Sequence, residues 1–168
     1  TPIGETVEEM GNNLNFVNLY NKADAIYQSV FIKSISSGTK SSCAILSNND
    51  VKCWGDNSYG QAAIGITSAN YSKIGDSGNE MGQNLGSAKL YNKSIHPDWN
   101  VLKIVSGENH HCALINISSY GRKNAVKCWG RNNYGQLGYN LPDSSIIGDS
   151  VSEMGENLPF VTVYQIYD

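Results

Sequence analysis

His110, His111 and Cys112 stand side by side, and this trio brings the most reactive side chains together. A thiol beside an imidazole is the material of a nucleophile–base pair, and imidazoles with a thiolate are metal ligands. Adjacent residues on a strand point to opposite faces, so the two imidazoles do not readily close on one ion. A disulfide at Cys112 would remove both chemistries. The expected role of His110 and His111 is structural, a polar side chain bonding to a backbone turn.

The acidic turns Gly75-Asp76…Glu80 and Gly148-Asp149…Glu153 offer oxygen ligands of the kind that hold Ca²⁺. They lack the dense carboxylate spacing of an EF-hand loop, and the first copy has Glu5 in place of Asp. A hydrogen-bonded turn is the expectation. No Gly-rich phosphate loop, G-x-S-x-G elbow or H-E-x-x-H motif occurs. Neither a catalytic residue, a cofactor nor a metal is expected.

The four cysteines, Cys43, Cys53, Cys112 and Cys128, are separated within pairs by nine and fifteen residues. Zinc knuckles need closely paired cysteines instead. Ser36 to Leu46 and Val51 to Gly55 read as strands around the turn Ser47-Asn48-Asn49-Asp50, which sets Cys43 opposite Cys53. Val101 to Ile115 and Ala125 to Gly130 flank a longer loop centred near Tyr120, which sets Cys112 opposite Cys128. Two cross-strand disulfides follow, each contributing about 2–4 kcal/mol. The competing reading is four buried thiols in a reducing compartment. Disulfides imply secretion or the cell surface.

The elements that position these residues are repeated. VKCWGDNSYGQ (Val51 to Gln61) returns as VKCWGRNNYGQ (Val126 to Gln136). A second signal recurs in three places: Ile3-Gly4…Glu9-Met10-Gly11, Ile74-Gly75…Glu80-Met81-Gly82 and Ile147-Gly148…Glu153-Met154-Gly155. Steps of about 70–75 residues mean stacked supersecondary units that bury their apolar faces against one another. The units are residues 1–73, 74–146 and a third start, or pairing edge strand, at 147–168.

Each unit is expected to hold about four short antiparallel strands with tight Gly turns, as in a propeller blade. Short strands are expected at Phe16 to Leu19, Ala88 to Leu90 and Phe160 to Val163. Counting back from the cysteines aligns Ile32 with Val101 and Ile35 with Ile104, which makes the end of 23–33 a strand. Trp54, Trp129, Tyr59 and Tyr134 recur at one repeat spacing and are expected to pack within blades. Gly55 and Gly130, with Gly60 and Gly135, are expected to supply positive φ or close strand approach.

A net charge of -3 and a pI near 5.5 leave no basic surface for nucleic acid. Only 16% of residues are charged, which suits a turn-rich β protein. No apolar run approaches the roughly 18 residues that span a bilayer, and no signal peptide is visible. The opening at Thr1 suggests a processed product or a window from something longer. Three N-glycosylation sequons begin at Asn70, Asn92 and Asn116, all in expected loops or hairpin tips.

SGTKSSCAILSNNDVKCWGDNSYGQ and SGENHHCALINISSYGRKNAVKCWGRNNYGQLG resemble the repeats of the regulator of chromosome condensation family, in their bacterial and extracellular form. IGDSVSEMGENLPFV resembles the segment between strands in long-repeat members. The resemblance covers nearly the whole chain and implies β-propeller blades, seven to a closed ring. Ser41 departs from the usual His, which His110 keeps, and Ala62-Ala63 replace the Leu-Gly kept at Leu137-Gly138. Two units and part of a third do not make such a ring.

The chain is therefore expected to be all-β, with blades that do not close within it. Open blade edges invite pairing with neighbouring copies, head to tail in a ring or fibre, or with the repeats of a longer chain. The expected function is a non-enzymatic extracellular structural or interaction module. The alternative is a recognition propeller fragment that binds a protein or glycan through its loops. A small-GTPase exchange factor is implied only by the family resemblance, and paired cysteines speak against its reducing compartment.

Overall fold

The computed structural model describes residues 3–21, 29–66, 71–117 and 124–163. Within them the chain forms two four-stranded antiparallel sheets, each a meander in sequence order. The first contains β1 (Ile32–Ser37), β2 (Ser41–Leu46), β3 (Val51–Asp56) and the short β4 (Lys73–Ile74). The second repeats that plan with β5 (Asn100–Ser106), β6 (His110–Asn116), β7 (Ala125–Arg131) and β8 (Ile146–Ile147). Among the described residues the only helical pieces are short 3-10 turns. The all-β, blade-like expectation holds, and the two sheets stack without closing into a ring.

Local chemistry builds each sheet in the same way. Gly38 N–H donates to Ser41 O at 2.8 Å, and Gly107 N–H to His110 O at 2.9 Å, so each first hairpin turns at its glycine. In the β2–β3 turn Asn49 adopts φ 63°, a left-handed conformation that Asn tolerates. The neighbouring Asn48 carboxamide accepts from Asp50 N–H at 3.1 Å. Cys43 pairs in register with Cys53, and Cys112 with Cys128. The two disulfides join those pairs, each with Cα atoms 4.1 Å apart.

The turns correct the expected strand bounds. Ser36 to Leu46 is the end of β1, a turn and β2, while Val101 to Ile115 covers most of β5 and β6. Phe16 to Leu19, Ala88 to Leu90 and Phe160 to Val163 are not strands. Their place at the sheet edge goes to β4 and β8, which pair with Gly55-Asp56 and Gly130-Arg131. The later segments run past the sheets instead, with Ala88 N–H on Val51 O and Val161 N–H on Val126 O, both at 2.8 Å. Ile147 is thus the last residue of the second sheet.

The core lies where β5 rests against β1 and β2. Along β6 the side chains alternate, and His111, Ala113 and Ile115 are buried toward the first sheet. The opposite face of β6, with His110, Cys112 and Leu114, is only half-buried. On β2 both faces are buried, because the second sheet covers the side carrying Ser41, Cys43 and Ile45. The first sheet meets the second through its trailing face and the second meets the first through its leading face, while the leading face of the first and the trailing face of the second point outward.

Candidate interaction surfaces

One junction, between the trailing face of the first sheet and the leading face of the second, is complete within the chain. Trp129 is fully buried there, and its indole N–H donates to Gln61 O at 2.8 Å. Gly60 faces Gly148 so closely that a Cβ on Gly60 would lie 2.5 Å from the Gly148 carbonyl carbon. The Arg131 guanidinium lies over the Tyr59 ring, 4.7 Å from its centre.

A polar chain, buried at Ser41 and His111 and half-buried at Ser106 and Ser36, crosses the same junction. Ser41 Oγ lies 3.0 Å from His111 Nε2, and His111 Nδ1 lies 2.7 Å from Ser106 Oγ. Ser106 in turn donates to Ser36 Oγ at 2.8 Å. A neutral imidazole donates from one nitrogen and accepts at the other, so Ser41 O–H donates to Nε2 and Nδ1–H to Ser106. Burial holds His111 neutral, with its pKa pushed down to about 4. The arrangement resembles a Ser–His hydrolytic pair. Its third member is a serine hydroxyl rather than a carboxylate, however, and both partners are sealed from solvent. What it does is tie two sheets together.

The lysine of each Val-Lys-Cys-Trp-Gly strand is also buried. Lys127 Nζ donates to Leu90 O at 2.9 Å and Gly155 O at 3.0 Å, and Lys52 Nζ donates to Leu85 O. Each ammonium thus pins an IG…EMG turn onto its own sheet. Burial pushes the Lys127 pKa down to about 8 and lowers that of Lys52 as well.

The turns are organised by their glutamates. Glu9 accepts from the N–H groups of Gly4, Glu5 and Thr6, Glu80 from Gly75 and Ser77, and Glu153 from Gly148 and Ser150. These backbone bonds hold the Glu9 carboxyl below the usual carboxylate range. Burial, with Asp149 nearby, instead raises that of Glu153. The glutamates among the carboxylates considered as Ca²⁺ ligands are therefore engaged by their own backbone. Each later turn also donates backward, with Gly82 N–H on Asn18 O at 2.8 Å and Gly155 N–H on Lys89 O at 2.6 Å.

The residues singled out in the sequence divide by location. Cys43, Cys53, Trp129 and Tyr59 lie in or at the completed junction, whereas Trp54 is half-buried on the leading face of the first sheet. Gly55 and Gly130 adopt φ 98° and 106°, and a Cβ would meet Lys40 O at 2.3 Å or Asn109 O at 2.4 Å. Tyr134, expected to pack, is 87% exposed, and no sheet among the described residues covers it. Asn92 is exposed, and its Oδ1 accepts from Ser94 N–H at 2.9 Å. Asn116 is half-buried at the end of β6, and Asn70 lies outside the described residues. His111 bonds to side chains of two sheets rather than to a backbone turn. Neither that chain nor the buried lysines was read from the sequence, although the shared Lys position in both Val-Lys-Cys-Trp-Gly strands was a signal.

The two outward faces lack the partners that their counterparts have. On the leading face of the first sheet, Ile32 is 50% and Ile35 64% exposed, against 1% and 6% for the equivalent Val101 and Ile104. Among the described residues no acceptor meets the indole N–H of Trp54. On the trailing side of the second sheet an open groove of about 730 Å³ is lined by Tyr139, Leu141, Ile147, Pro159 and Phe160 among others.

Comparison with known proteins follows the same lines. The family model of the regulator of chromosome condensation (RCC1) repeat matches residues 32–61, the span from β1 to the turn after β3. Those residues thus match the RCC1 repeat, and the resemblance seen in the motifs holds for that span. No curated protein sequence matches the chain. Among solved structures it is similar to human WBSCR16, at 18% identity and a TM-score of 0.49 over 73% of this chain and 25% of that one. It is also similar to Prp20p from Saccharomyces cerevisiae, studied with its binding to Gsp1p and histones, at 19% identity and a TM-score of 0.49 over 88% of this chain and 28% of that one. The same yeast RCC1 (Prp20) bound to Kap60 gives 18% identity and a TM-score of 0.47 over 88% and 28%. The chain spans about a quarter of the length of these proteins.

Proposed function

We propose that this chain is a non-enzymatic extracellular interaction module that associates with neighbouring repeat units through its open blade faces. The observation that carries this reading is the contrast between equivalent residues. Ile32 and Ile35 are exposed where Val101 and Ile104 are buried, and Tyr134 is bare where Tyr59 lies under Arg131. Apolar side chains shaped for a junction and left in water favour a partner. The two disulfides support an oxidising compartment, and the exposed Asn92 sequon suits a glycan.

The finer form of the proposal is head-to-tail self-association. The leading and trailing faces are the two sides of a junction already made once inside the chain, so copies stack heterologously into a ring or fibre. At such a contact the incoming residues 3–17 have to swing away from residues 147–161, which hold the equivalent place.

The test uses light scattering and hydrogen exchange on the chain and on a version extended after Asp168 by a copy of residues 96–168. The added unit continues the repeat in phase and is expected to cover Tyr134. Mass rising above 18.3 kDa with concentration would make copies of this chain neighbours of one another. A strict monomer whose extension leaves Tyr134 as exposed as before would overturn the proposal.

A further inference from the structure

The segment from Ile3 to Val17 has the sequence of a turn that elsewhere in this chain is always bound to a sheet. Its internal geometry is already that of the bound copies. Thr6 and Glu9 form the same reciprocal cap as Ser150 and Glu153, and successive 3-10 turns follow at Val7–Glu9 and Gly11–Asn13, as at Val151–Glu153 and Gly155–Asn157. Its environment is the opposite. Leu14 is 44% exposed, whereas the equivalent Leu85 and Leu158 are 2% and 1% exposed. Ile3, Met10 and Phe16 are exposed as well.

The bound copies show what is missing. The strand carrying Ile74 pairs with Gly55, and that carrying Ile147 pairs with Gly130. Each turn is then held by the lysine of its own third strand. Such a third strand should lie beside Ile3 and Gly4. A sheet in that place would also face β1 and cover Ile32 and Ile35, as the first sheet covers Val101 and Ile104. Its turn after the third strand would bring a carbonyl to the Trp54 indole, as Gln61 does for Trp129. One occupant thus accounts for an exposed turn, an exposed apolar face and an indole N–H without an acceptor.

We infer that residues 3–17 are the fourth strand and outer turn of a further sheet, whose first three strands form a repeat unit of this same type that lacks a fourth strand of its own. This rests on the blade-face reading above and names the partner at the leading end. The partner carries a Val-Lys-Cys-Trp-Gly-like third strand whose lysine reaches the carbonyls of Gly11 or Leu14. A second copy of this chain can stack on the leading face but cannot take residues 3–17 as a strand, because β4 and β8 already fill that edge on both of its sheets. Recognition is by strand addition, in which main-chain bonds give affinity and the apolar residues give register.

The test places residues 92–144 before Thr1, so that the added hairpins run in phase into Ile3. In this longer chain the amides of Gly4 and Gly11 are expected to exchange about a hundredfold or more slowly than in the original. Serine at Ile3, Met10 and Leu14 together should abolish that protection in the longer chain. In the original chain the same triple variant should leave the melting temperature within about 2 °C. An added unit that stays unfolded, or folds while Gly4 and Gly11 exchange as before, would overturn the inference. So would a triple variant that unfolds the original chain, or protection that appears in the original chain on dimerisation. If the extension after Asp168 covers Tyr134 while this one leaves the turn exposed, the blade-face reading stands and only this inference fails.

Discussion

Ser41 and His111 meet at 3.0 Å across the boundary between two sheets, although 70 residues separate them in sequence. The contact ties the first sheet to the second by a polar bond in the buried part of their junction. A buried bond of this kind contributes modestly when made and costs more when one partner is lost.

Acid should therefore loosen the junction. Between pH 6.5 and about 4 the unfolded chain protonates this imidazole and the folded chain does not. The unfolded state binds more protons in that window, so stability is full above pH 6.5 and falls as the pH drops toward 4. The loss attributable to His111 is on the order of 3 kcal/mol. Urea unfolding at several pH values should show this slope, and His111→Gln should flatten it while lowering stability at pH 7.

Two tryptophans at one repeat position differ in what they hold. Trp129→Phe removes a fully buried indole and its bond to Gln61, and should cost about 2–3 kcal/mol. Trp54→Phe removes an indole that is half-buried and has no acceptor among the described residues, and should cost less than about 1 kcal/mol. Equal losses in denaturant titrations would contradict this account of the junction.

Glycines at one repeat position offer a matched pair. Gly60 and Gly135 have nearly the same φ, 72° and 71°, but only Gly60 faces another backbone. Gly135→Ala should cost about 1 kcal/mol from conformational strain alone. Gly60→Ala adds a clash with Gly148 and should cost about 3 kcal/mol or more. Thermal melts of the two variants give the comparison directly.

The disulfides should respond to reductant in order. Cys43 and Cys53 are closed inside the junction, while Cys112 is half-buried on the uncovered trailing face. Access governs exchange with an external thiol, so Cys112–Cys128 should be reduced first. Alkylation at intervals followed by peptide mass analysis reads the order. In the version extended after Asp168 that difference should shrink.

Much of this architecture is local, and so it could be read from the residues. Turn composition and strand alternation brought Cys43 opposite Cys53 and Cys112 opposite Cys128, because hairpin register depends on the few residues of the turn. The glutamate-centred turns likewise form from their own backbone, whether or not a sheet covers them. The short strands were misplaced because β4 and β8 hold only two residues each, too few to leave a periodic signal.

The amino-acid order by itself determined the repeat, its hairpins, its disulfides and its turns. Tertiary structure alone decided which copy of each repeated residue is covered. Tyr59 and Tyr134 occupy the same place in nearly identical segments, yet one lies under Arg131 and the other is in water. Leu14 and Leu158 part in the same way. Burial depends on whether a second sheet lies alongside, and that neighbour is distant in sequence, so no local pattern can report it.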